Sequence, residues 1–110
     1  MSQAVLHDPL DLGSDFAYQA DGIVSRILLK ESTGSVTAFA FDAGQDLSEH
    51  TCPYEALIVV IEGQGVITIG GTPHTLTAGQ AIRLPAHVPH AVRAEQPLKM
   101  LLTMFRVPKE

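Results

Sequence analysis

The chain predicts an all-β fold, a single antiparallel sandwich or small barrel. Its apolar residues fall in short runs rich in β-branched side chains, and Gly or Pro closes nearly every run. The runs are evenly spaced and joined by tight connections, and no stretch carries a helical period long enough for a βαβ unit. At 110 residues there is room for one domain with one modest core.

The elements follow in order. Residues 1–22 form a polar, irregular lead, in which Asp15 to Gln19 read either as a helical turn or as an extra strand. The barrel is expected over 23–107. IVSRILL (23–29) and VTAFAF (36–41) flank the turn signal KESTGS, and DAGQD ends the second run. ALIVVIEG (56–63) meets Gln64-Gly65, and VITI (66–69) ends at Gly70-Gly71, a two-residue hairpin signal because both positions accept positive φ. TLTAGQ then leads to AIRLP (81–85), AVRA (91–94) and KMLLTMF (99–105).

One strand is apolar on both faces. Alternation puts Ala56, Ile58 and Val60 on one side and Leu57, Val59 and Ile61 on the other. A barrel wall needs only its inner face buried, so the second face must meet something. A homodimer is the preferred expectation; cover by the N-terminal segment is the plainer one.

Composition excludes several classes. The formal net charge of −5 argues against a nucleic-acid surface or an anionic-membrane binder. No apolar stretch approaches the ~18 residues of a membrane helix. The start, MSQAVLHDPLDL, lacks the basic and apolar regions of a signal peptide, and the single cysteine, Cys52, cannot form an intrachain disulfide. A cytoplasmic location is therefore expected.

The chemistry-bearing residues cluster at EHTCPYEA (49–56) and AHVPH (86–90). From Gly44 the chain reads five residues, His50, Thr51, Cys52, three residues, Ala56, six residues, Gly63. It later reads Gly79, five residues, Pro85, Ala86, His87, two residues, His90, three residues, Ala94. This register resembles the two motifs of the cupin superfamily, G-x5-H-x-H-x3-E-x6-G and G-x5-P-x-G-x2-H-x3-N. Six of the ten motif positions match with no insertion, namely Gly44, His50, Gly63, Gly79, Pro85 and His90. The resemblance implies a single-domain antiparallel double-stranded β-helix, or jelly-roll barrel, of the RmlC-like kind.

The resemblance also implies a metal centre made by two motif-one histidines, a motif-one glutamate and the motif-two histidine. Carried over by position, His50 and His90 remain, Cys52 replaces the second histidine and Ala56 replaces the glutamate. Two residues apart on a strand, His50 and Cys52 would leave the same face. Two imidazoles and a thiolate suit Zn(II), Fe(II) or Cu. Glu55, one residue off the ligand position, is expected to point outward into solvent. The plainer reading makes the histidines hydrogen-bonded core residues and Cys52 a small apolar filler.

Continuing the inward phase, Ala56, Ile58, Val92 and Met100 are expected to line a pocket with His87 at its mouth, although ordinary core packing is the better account of Met100. His74 and His7 read as surface. The leading function is a cupin binding a small, mostly apolar molecule around His50 and His90, with a divalent transition metal as the candidate cofactor. The alternative is a metal-dependent oxygenase or isomerase using His50, Cys52 and His90, for which a general base is missing. A purely structural dimer is the third reading.

Overall fold

The computed structural model describes residues 8–108. Among them are nine strands and no helix: β1 (Ile23–Glu31), β2 (Gly34–Phe41), β3 (Asp46–His50), β4 (Tyr54–Glu62), β5 (Gln64–Ile69), β6 (Thr72–Thr77), β7 (Ala81–Leu84), β8 (His90–Ala94) and β9 (Leu98–Arg106). They form two sheets, β1-β2-β9-β4-β7 and β3-β8-β5-β6, and every pairing is antiparallel. The chain changes sheet at β2–β3, β3–β4, β4–β5, β6–β7, β7–β8 and β8–β9, which rolls it into the jelly roll that the motifs imply.

Two strands escape a reading based on apolar runs. β3 (DLSEH) and β6 (TPHTLT) are polar because each is an edge of the second sheet, with most residues exposed. Pro73 fits there, since an edge strand can spare a backbone donor. Gly70-Gly71 makes the β5–β6 hairpin, with both residues at positive φ.

The core lies between the sheets. Phe41, Ile58, Val60, Ile67, Leu98 and Met100 are its largest fully buried side chains, and each such burial contributes roughly 1.5–3 kcal/mol. Ala56, Ile58, Val92 and Met100, expected to line a pocket, are each at most 3 % exposed and belong to this one cluster. Side chains from the two sheets interdigitate and fill the interior at that depth. Open space lies at the end of the barrel instead.

The outer face of the first sheet is divided. Leu12, Phe16 and Tyr18 of the lead segment pack on Val24, Leu28, Ala38, Ala40 and Leu101, a second apolar cluster. The lead is neither helix nor strand; a turn closes where Asp15 N–H donates to the Asp11 carbonyl at 2.7 Å. Beyond it, Leu29 and Leu57 remain exposed on the row that pairs through Val36 and Thr103, and Phe105 remains exposed between Gly34 and Glu55.

Candidate functional site

An irregularity in the β3–β8 ladder builds the site. Asp46 pairs with Arg93 and Leu47 with Val92, a register that would set Glu49 opposite His90. The register then shifts, and His50 takes that place. The bulge re-aims one side chain, as bulges beside functional sites commonly do. His90 shares the inward face of β8 with Val92 and Ala94, all buried, while His50 is exposed at the end of β3. One imidazole therefore caps the other at the open end of the barrel.

The two rings meet edge to face, with centroids 4.3 Å apart and planes at 67°. His50 Nδ1 lies 2.8 Å from the Ser48 carbonyl, and His90 Nδ1 lies 3.3 Å from that of Val88. A carbonyl only accepts, so each Nδ1 carries the proton in these bonds. That leaves two Nε2 lone pairs facing each other across 3.1 Å. Either a proton or a cation has to lie between them to make the contact favourable. Burial, and next the charge of His50, push the His90 imidazole below its ordinary value, opposed by its bond to Val88.

Cys52 does not join the pair. β3 ends at His50, so strand alternation stops and Thr51, Cys52 and Pro53 form a loop. The Cys52 thiol is 3.8 Å from the Tyr54 carbonyl, and its own carbonyl accepts from His87 N–H. Among the described residues no group of three or more His, Cys, Asp or Glu is placed to hold a metal ion.

Glu55 points outward by its phase on β4, yet it is not the solvated residue expected. Its side chain is 19 % exposed; Oε1 accepts from Arg83 Nε at 2.6 Å and Oε2 from Ala86 N–H at 2.9 Å. The Arg83 bond, and next the amide, hold its carboxyl below the usual range. His87 occupies an exposed turn with φ 67°.

Tyr54 and Arg106 lie at a hollow that the motifs do not indicate. They are direct cross-strand partners and share the inward phase of Ala56 and Met104, so counting outward from the ligand position would have found them. With Pro53 and His87 they line a hollow of about 880 Å³. Tyr54 and Met104 also line a neighbouring one of about 340 Å³, beside Ile27 and Thr37.

The family model for the cupin domain matches residues 38–104, more than half of the chain. The chain belongs to the cupin family. Solved relatives agree. A conserved protein of unknown function from Streptococcus pyogenes is 29 % identical with a TM-score of 0.88, over 99 % of this chain and 98 % of that one. A cupin superfamily protein from Desulfitobacterium hafniense is 25 % identical with a TM-score of 0.85, over 92 % and 93 %. A cupin 2 conserved barrel domain protein from Leptotrichia buccalis is 35 % identical with a TM-score of 0.84; 88 % of this chain matches 47 % of that one. No match is found among the curated proteins. The cupin motif has a visible physical basis at Gly63, where φ is +85° and a Cβ would stand 1.8 Å from the Pro97 carbonyl oxygen.

Proposed function

We propose that this cupin binds a small molecule at the open end of its barrel, with His50 and His90 as a two-imidazole seat for a divalent transition metal. The observation that carries the reading is the pair of Nε2 atoms facing each other at 3.1 Å, with each Nδ1 turned to a backbone carbonyl. Imidazole nitrogens bind such ions at about 2.0–2.1 Å, so two nitrogens this close can reach one ion between them. Imidazole suits Zn(II), Cu(II) and Fe(II). Two protein donors leave coordination positions for water or an oxygen-bearing ligand, to which a bound ion would supply Lewis acidity. The protein's own contribution is orientation: Ser48 and Val88 fix both rings through Nδ1, as outer-shell partners of metal-binding histidines do.

The oxygenase or isomerase reading needs a third donor and a base. Cys52 and Glu55, its nearest candidates in sequence, are engaged with Tyr54 and with Arg83 and Ala86. A binding role is favoured accordingly. The exposed apolar rows at Leu29, Leu57 and Phe105 support a second copy of the chain as the occupant of the uncovered outer face.

The test is calorimetric titration of chelator-treated protein, prepared without nickel affinity, with Zn(II) and Cu(II). Uptake near about one equivalent, abolished in His50→Ala and in His90→Gln, is expected. Uptake below about a tenth of an equivalent, or uptake unchanged in both variants, overturns the reading.

A further inference from the structure

We propose that the hollow between the start of β4 and the end of β9 is a second, metal-independent site for a small organic carboxylate with an apolar body. Its volume of about 880 Å³ suits a small organic molecule. Pro53, Tyr54 and Val107 supply apolar wall, Arg106 and Glu55 supply charge, and His87 supplies an imidazole.

The charge balance selects the ligand's sign. Glu55 is the one acid among the lining residues, and both its oxygens are already used, by Arg83 and by the Ala86 amide. Arg83 offsets its charge. Arg106 has no acidic partner among the described residues, whose ion pairs are Arg83–Glu55 and Lys99–Glu62. Its guanidinium is a planar fork matched to a carboxylate. Because Tyr54 and Arg106 face each other across β4 and β9, an aromatic or aliphatic body resting on the ring would bring its carboxylate to the guanidinium.

His87 supplies an independent observation. At φ 67° it holds a left-handed conformation that glycine would adopt without strain. The chain keeps an imidazole on that turn, at the wall of the hollow, against a conformational cost. Such strain, held by a residue lining a cavity, points to a functional role for the side chain. With one fork and one imidazole against apolar walls, a monoanionic carboxylate fits better than a phosphate, which would call for more donors.

The experiment follows amide resonances of the chelator-treated chain during titration with sodium benzoate and, separately, with neutral benzamide. Benzoate should shift residues 54–55, 86–88 and 106–107, and benzamide should bind at least about tenfold more weakly. Arg106→Gln should weaken benzoate about tenfold and leave Zn(II) uptake as in the parent, which separates this site from the histidine pair. His87→Gly should raise the melting temperature by about 3 °C while weakening benzoate about threefold, a pairing that a merely structural residue would not produce. Equal binding of benzoate and benzamide, shifts elsewhere, or unchanged benzoate affinity in either variant overturns the proposal.

Discussion

Two polar clusters, each built on one buried side chain (Lys99 and His90), sit on opposite faces of this small barrel, and they differ in how completely they are satisfied. On the outer face of the first sheet, Lys99 is 3 % exposed and its ammonium donates to the Leu12 carbonyl at 3.0 Å and that of Gly13 at 2.9 Å. Glu62 lies 3.9 Å away, the Tyr18 ring lies under the charge at 4.9 Å, and Tyr18 donates its hydroxyl to Glu62 at 2.5 Å. All three ammonium donors have somewhere to go. On the inner face of the second sheet, His50 and His90 satisfy their Nδ1 atoms and leave their Nε2 atoms opposed. A buried polar group complete within the chain holds structure together, whereas one that needs something from outside is a candidate for function.

Removing Lys99 should have the largest effect. Lys99→Met orphans the Leu12 and Gly13 carbonyls and releases the lead segment from Ala38 and Ala40. We expect a loss of about 3 kcal/mol in denaturant unfolding, with earlier proteolysis near residues 8–20. His50→Ala should behave in the opposite way. Its ring is exposed, so stability should stay within about 0.5 kcal/mol of the parent, while Zn(II) uptake is abolished. If the histidine variant lost the stability and the lysine variant kept it, the assignment of roles would be reversed.

Much of this was legible in the residues, and what was not has physical causes. The motif glycines and histidines identify the barrel because turn geometry and close backbone approach, as at Gly63, tolerate few alternatives. Spacing also points to His50 and His90. It could not show the β3–β8 bulge, which arises from pairing between distant segments and decides that His50, rather than Glu49, faces His90. Strand alternation from His50 does not carry to Cys52, because the strand stops at His50. Lys99 reads as a polar start to an apolar strand; only the folded lead segment, bringing two carbonyls to its ammonium, explains its burial.

Tyr18→Phe should have a smaller effect on the same cluster. The phenol's value is raised, chiefly by burial and next by its bond to Glu62, so it remains a donor at any ordinary pH. Losing one hydrogen bond to a charged acceptor, with the ring and its packing kept, should cost about 1.5 kcal/mol in the same unfolding assay. A neutral result would mean that Lys99 alone holds the segment.

The smallest effect separates the two groups by pH. Burial, and next the charge of His50, lower His90 from its ordinary 6.5. Above 6.5 the imidazole is neutral folded and unfolded, and its contribution to stability is complete. As the pH falls below 6.5 the unfolded chain takes up the proton first, and stability drains until the folded-state value, lying lower, is passed. In chelator-treated protein the melting temperature should therefore decline from about pH 7.5 toward pH 5.5, and His90→Gln should flatten that decline. Lys99→Met and Tyr18→Phe should lower the whole profile and leave its slope in place, because neither substitution touches the imidazole pair. Saturating Zn(II) should steepen the parent's slope, since protons and the cation compete for the same Nε2 lone pairs. A slope that survived His90→Gln, or that vanished in Lys99→Met, would place the acid-sensitive group on the outer face and remove the contrast between the two clusters.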